Sequence, residues 1–235
     1  MPLLAVDTTT KSCSVAVVAH SGLLSEITTT NDETHARHLM GMVDQVLALA
    51  GIGLEAIDGF AVTRGPGSFT GLRIGLSSIK GLGMATGKPI VPVSSLETLA
   101  VQATPASGAS GIIVALIDAY RREVFLAGYR FKENQMIAVI PETVIAPEKV
   151  VDVISDVSDS AVLVGSGVVT YRQKFAATSG ASIRFSPDIN HTIRAATVGR
   201  IGLNRLDSDG LNATDIRPVY LRKSDAQIHL LSPAS

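Results

Sequence analysis

The sequence has no tryptophan, only 4% aromatic residues and a single cysteine among 235 residues. Each shortage excludes something. With so few rings the core must be packed from Ala, Val, Ile and Leu, which the 46% hydrophobic content supplies. A lone Cys13 cannot close an internal disulfide, and Asp7 interrupts the apolar stretch a signal peptide would need, so a cytoplasmic location is expected. No run of about 18 apolar residues occurs, which leaves no candidate membrane-spanning helix. Neither charge is in excess: 20 basic against 21 acidic residues give a net charge of −1 and no general electrostatic footprint for nucleic acid. With 17% charged residues the chain is of the compact globular kind, long enough for one large or two small domains.

The most informative stretch that is present is RGPGSFTGLRIGLSSIKGLG, Arg64 to Gly83. Gly59 to Thr63 reads as a buried strand, Gly65-Pro66-Gly67 ends it, and Ser68 is placed to cap a following helix. Gly71, Gly75 and Ser78 line one face of that helix. Glycine costs a helix about 1 kcal/mol against alanine, so two on one face imply that another backbone comes close there. The phosphate-loop pattern is absent, because Gly71 is followed by Leu72 and Arg73 instead of Lys and Ser/Thr. The dinucleotide fingerprint fails by one residue of spacing.

Two segments share a layout. LLAVDTTTKSCSVAVV has a strand ending at Asp7, a polar turn from Thr8 to Lys11 and a returning strand. VALIDAYRREVFLAGY has a strand ending at Asp118, a turn across Tyr120 to Arg122 and a strand from Val124 to Tyr129. The repetition predicts an internal duplication. In the first half a third strand covers Leu23 to Thr29. Asp32 or Thr34 caps a helix to about Ala50, and strand 90–93 and a helix from Ser95 follow. In the second half we expect three strands between Ile112 and Ile140, a helix near Pro147 to Val157, strand 162–164 and a helix near Ala195 to Leu206. TPASGASG, Thr104 to Gly111, has the composition of a linker, so the expected lobes are 1–103 and 104–235, in an α/β architecture.

Candidate chemistry is sparse. His35 and His38 stand three apart on a helix, but two ligands do not make a zinc site, and His20, His191 and His229 are isolated. Asp7 with Thr8, Thr9 and Thr10 could meet a magnesium-bound phosphate, with Asp118 as its counterpart. Without a following glycine the backbone cannot wrap phosphate closely, and each Asp can instead order its own turn. Gly165-Ser166-Gly167 is a further weak phosphate candidate. Arg121-Arg122 and Arg217, Arg222 and Lys223 are small basic groups.

LAVDTTTKSCSVAV, RGPGSFTGLRIGLSSIKGL with KPIVPVSSLETLA, ALIDAYRREVF and the closing PVYLR together resemble the bacterial TsaB (YeaZ) family of tRNA threonylcarbamoyladenosine biosynthesis proteins, over nearly the whole chain. The resemblance implies two related actin/sugar-kinase-like (ASKHA) lobes, each a mixed sheet with flanking helices. The related catalytic subunit TsaD carries a metal-binding His-x-x-x-His where this chain has Ser95 and Leu99. The implied role is therefore that of a required, non-catalytic partner of TsaD and TsaE, with tRNA reached through the complex. TsaD transfers threonylcarbamoyl from threonylcarbamoyl-AMP to N6 of adenosine 37 in tRNAs reading codons that begin with A. The implied docking face comprises His35, His38, Leu39, Met42, Val46, Gly71, Arg73, Gly75 and Ser78. No cofactor of its own is implied, with ATP or ADP contact only inside the complex, at the vestigial Asp7–Thr10 region. The alternatives are a small ASKHA-type ATPase or kinase, and a homodimeric scaffold using the same helix face.

Overall fold

The computed structural model describes residues 1–30, 35–107, 111–133, 135–177 and 181–222. The first half runs β1 (Pro2–Asp7), β2 (Ser12–Ala19), β3 (Gly22–Thr30), α1 (His35–Ala50), β4 (Gly59–Thr63), α2 (Phe69–Thr86), β5 (Ile90–Val93) and α3 (Ser95–Ser107). The second runs β6 (Ile112–Asp118), β7 (Val124–Lys132), β8 (Gln135–Ile145), α4 (Val150–Ser155), β9 (Ser160–Val164), α5 (Ser166–Ala177), β10 (Ser182–Phe185), α6 (Ala195–Leu203) and α7 (Leu206–Asp209).

The strands form two five-stranded sheets with the orders β3-β2-β1-β4-β5 and β8-β7-β6-β9-β10. In each, the first three strands make an antiparallel meander and the last two add in parallel on the other side. The duplicated layout in the sequence is thus a duplicated topology, and the two related mixed sheets with flanking helices are found. β10 was not expected; Ser182–Phe185 is short and only half-buried, so its pattern resembles a loop.

Alternation along the strands builds the layers. Leu4 and Val6 of β1, with Cys13, Val15 and Val17 of β2, face α1 and α2. Leu3, Ala5, Ala16 and Val18 face the other way, into a core shared with α3, α6 and the inner face of the second sheet. The outer face of that second sheet is covered by α4 and α5. The molecule is therefore five layers deep, with α3 and α6 in the middle.

Those two middle helices cross over. α3 packs on β6, β7 and β9, and α6 packs on β1, β2 and β4. A division at residue 103/104 therefore falls inside α3 and assigns α6 to the wrong sheet. Thr104 to Ser107 continue α3 and do not form a linker. Small polar composition alone does not distinguish the end of a helix from a loop, and Gly108 to Ser110 of the expected linker lie outside the described residues.

Local chemistry sets the helix boundaries. Ser68 caps α2, its Oγ accepting the Gly71 N–H at 3.3 Å, and Gly87 ends the helix with φ 69°. Ser94 caps α3 by accepting from Glu97 N at 3.3 Å. The start of α6 is satisfied from the first sheet: Ala195 N donates to Ser14 Oγ at 2.8 Å and Ala196 N to Glu26 Oε1 at 3.0 Å. Arg194 pairs with the same carboxylate, whose side chain is only 4% exposed. The expected α1 caps, Asp32 and Thr34, lie outside the described residues.

Candidate functional site

The glycine turn and α2 close against the first hairpin of the same chain. Ser68 N donates to Thr9 O at 2.7 Å, and Thr8 Oγ1 donates to Gly71 O at 2.7 Å. A Cβ on Gly71 or Gly75 would fall on Thr8 closer than the 3.0 Å limit of real Cβ contacts. The close approach implied by the glycines is thus made within the chain, and neither glycine belongs to an exposed docking face. Leu39, Met42 and Val46 are likewise corrected: at 1%, 5% and 0% exposure they are core residues of the first lobe. The apolar stripe of an amphipathic helix faces its own sheet first. Arg73 is exposed, while Ser78, His35 and His38 are half-buried. His35 Nε2 donates to Thr10 O at 2.9 Å, anchoring α1 to the hairpin turn.

What α1 and α2 leave outward is a different set. Gly41 and Gly81 have nothing within 4 Å of an added Cβ, and Met40 and Met84 are exposed beside them. Gly81 continues an exposed row through Arg73, Ser77 and Met84.

Asp7 is fully buried. Its Oδ1 accepts from Thr9 N, Thr9 Oγ1 and Thr63 Oγ1, the two hydroxyls at 2.6 and 2.7 Å, while Oδ2 has no partner. Burial pushes its carboxyl above the ordinary carboxylate range, against the lowering pull of these bonds and of His35. Thr9 extends the chain of hydroxyls by accepting from Ser95 Oγ at 3.1 Å. Ser95 and Leu99 are both fully buried, the second in the shared core. Among the described residues no group of three or more His, Cys, Asp or Glu is arranged to hold a metal ion.

Between the lobes lies a cleft of about 570 Å³, lined by Thr9, Thr10 and Lys11 from one hairpin turn and by Asp118, Ser166 and His191 from the other side. Asp7 and Thr8 do not line it. Asp118 orders its own turn, accepting Tyr120 N at 2.9 Å through Oδ1 and Thr170 Oγ1 at 3.1 Å through Oδ2. Gly165 N, the first amide of the glycine-serine-glycine turn, donates to His191 Nδ1 at 3.0 Å. That bond places the ring proton of neutral His191 on Nε2, which is buried without a hydrogen-bond partner, 3.9 Å from Asp188 Oδ1. Burial, opposed by Asp188, lowers the pKa of this imidazole. His191 has no linear signature, because Gly165, whose amide it accepts, is twenty-six residues away in the chain.

A second cleft of about 530 Å³ lies beside the start of α2, between Phe69, Arg73 and Tyr220 on one side and Tyr120 on the other. The closing PVYLR segment builds it. Val219 N donates to Arg64 O at 2.8 Å, and Arg222 reaches Ala119 O and Glu123 Oε2, each at 2.9 Å. The Tyr220 ring consequently sits 4.8 Å from Phe69, centroid to centroid.

Two lobes of one topology facing each other across a cleft define the actin and sugar-kinase class. An inorganic polyphosphate/ATP-glucomannokinase from Arthrobacter, only 13% identical, shares the fold with TM-score 0.50 over 86% of this chain and 99% of its own. The family described as TsaD, tRNA N6-adenosine threonylcarbamoyltransferase, is matched over residues 22–230. The tRNA threonylcarbamoyladenosine biosynthesis protein TsaB of Haemophilus influenzae is 32% identical over 230 residues, 94% of each chain. YeaZ from Pseudomonas aeruginosa is 31% identical with TM-score 0.77, covering 94% of this chain and 99% of that one. The chain belongs to the TsaB (YeaZ) family, within the wider group that includes the transferase.

Proposed function

We propose that this chain is the non-catalytic subunit that pairs with TsaD, and through it with TsaE, in forming threonylcarbamoyladenosine at position 37 of tRNAs reading codons that begin with A. The observation that supports the reading is the burial of Ser95 and Leu99, the residues that the family resemblance sets against the two TsaD histidines. Ser95 and Leu99 are completely buried, one in a hydroxyl chain to Asp7 and the other in the core. Neither side chain is an imidazole, and neither faces an open cavity where a transferred group could sit. The chain then needs no cofactor of its own, and contact with ATP or ADP arises only in the assembled complex.

Docking uses the outward row of α1 and α2, around Gly41, Gly81, Met40 and Met84, in place of the buried residues first expected. Glycines open to solvent beside exposed methionines let a second helix pair approach closely and bury apolar surface. The test is threonylcarbamoyl transfer to tRNA in a reconstituted mixture of TsaD, TsaE and threonylcarbamoyl-AMP, with and without this protein, and with this protein alone. Transfer only in the complete mixture is expected. Transfer by the chain alone, or transfer indifferent to it, refutes the role.

A further inference from the structure

The cleft beside the start of α2 lies apart from the hydroxyl chain and at the other end of α2 from Gly81 and Met84, sharing only Arg73 with the outward row. Arg73 lies over the Phe69 ring, its guanidinium carbon 3.9 Å from the centroid, and Tyr220 lies 4.8 Å from the same ring. Arg73 is exposed and forms no ion pair among the described residues; Tyr220 is 41% exposed. Across the cleft stands Tyr120, 55% exposed, at the head of three consecutive non-glycine residues with positive φ: Tyr120 at 58°, Arg121 at 53° and Arg122 at 60°. Left-handed backbone costs an ordinary residue roughly 1–2 kcal/mol. A run of three, with an aromatic presented to solvent, is the kind of local strain that persists at functional sites.

We infer that this cleft takes one unpaired nucleotide of an RNA loop, its base stacked on the Tyr220 and Tyr120 rings and its phosphate met by Arg73. A guanidinium over a ring beside a second ring is an arrangement that a planar base extends, and aromatic stacking of unpaired bases is how proteins commonly hold single-stranded RNA. The net charge of −1 supplies no general attraction for RNA, so a contact of this kind relies on stacking and on a local charge. The choice of an RNA loop over a free nucleotide rests on the proposed place of this protein in tRNA modification.

The test uses the reconstituted complex and an RNA hairpin with an unpaired loop, the corresponding blunt duplex, and AMP. Wild type should bind the hairpin more tightly than the duplex, and AMP at equal concentration should not displace it. Tyr220→Ala should weaken hairpin binding and raise KM for tRNA about tenfold, the range expected for one lost base stack. kcat should stay within about twofold, as for an interaction made equally in ground and transition states. Tyr220→Phe, which keeps the ring, should behave as wild type, and Arg73→Ala should lower affinity for every RNA sequence alike. Unchanged Kd and KM in Tyr220→Ala overturn the site, and displacement by equal AMP overturns the RNA assignment. If wild type supports transfer while these variants do not alter binding, only the cleft assignment fails. If wild type supports no transfer, the subunit role fails, and hairpin binding by the isolated chain still decides the cleft.

Discussion

Replacing Gly71 with Ala should destabilise the protein far more than the same change at Gly75, while at Gly81 it should stabilise. In each case alanine brings a helix gain of about 1 kcal/mol. At Gly81 nothing lies within 4 Å, so the gain is kept. At Gly75 the new methyl meets the Thr8 hydroxyl, which can rotate away at the loss of its bond to Gly71 O, about 1 kcal/mol. The two effects nearly cancel. At Gly71 the methyl meets the Thr8 carbonyl itself, and this backbone, between the last strand pair at Asp7 and the bond from Ser68 N to Thr9 O, cannot rotate aside as a hydroxyl can. Overpacking of about 3 kcal/mol less the helix gain leaves a net loss of about 2 kcal/mol. For a chain of this size that is a fall in Tm of about 4–8 °C. Calorimetric melts of the three variants at one pH test the order. A Gly71→Ala protein as stable as wild type would falsify the claim that this face is closed by the chain's own hairpin.

Gly81→Leu should leave the fold intact yet weaken pairing with TsaD by about tenfold or more in titration calorimetry, because the added bulk holds the helices apart; undiminished affinity removes Gly81 from the interface. Asp7→Asn should raise stability at neutral pH and flatten its pH dependence. The folded carboxyl holds its proton above the unfolded range, so its contribution is greatest in acid and is lost as pH rises through the raised value. Urea midpoints across pH, parallel for the two proteins, would contradict this. Cys13, whose thiol burial and then Asp7 push up to about 12, should resist iodoacetamide until the protein unfolds; prompt alkylation of the native chain goes against the burial described. Glu26→Ala removes the acceptor for Ala196 N and the partner of Arg194 and should cost about 2–3 kcal/mol, with chemical denaturation as the readout.

Elements set by local pattern were legible in the sequence. The two Asp-ended hairpins, the capped α2 and the parallel strands β4 and β5 follow from alternation, glycine punctuation and capping residues, which neighbours within a few positions determine. Placement against distant elements was not. Periodicity gave α3 and α6 their helical character but carries nothing about which sheet each covers. Leu39, Met42 and Val46 show how a stripe pattern marks burial without naming what does the burying. Gly71 and Gly75 correctly announced a close approach, while only the fold identifies Thr8 as the approaching group. Asp7 was readable as a turn former, and its bond to Thr9 N agrees with that. Its inward position, with Thr63 fifty-six residues away, was not. The cleft of Phe69, Arg73, Tyr120 and Tyr220 draws on three separated segments and had no linear signature beyond the closing PVYLR.

The exchange of α3 and α6 between the sheets makes each lobe a hostage of the other. Neither sheet can be excised with its own covering helix by a single cut, so proteolysis or truncation near the midpoint should yield two fragments that fold only when mixed. It also fixes the angle between the lobes, because the apolar layer joining them would have to shear for the cleft to open. With α3 and α6 wedged between the two sheets, the lobes behave as one body whose inclination is set by packing.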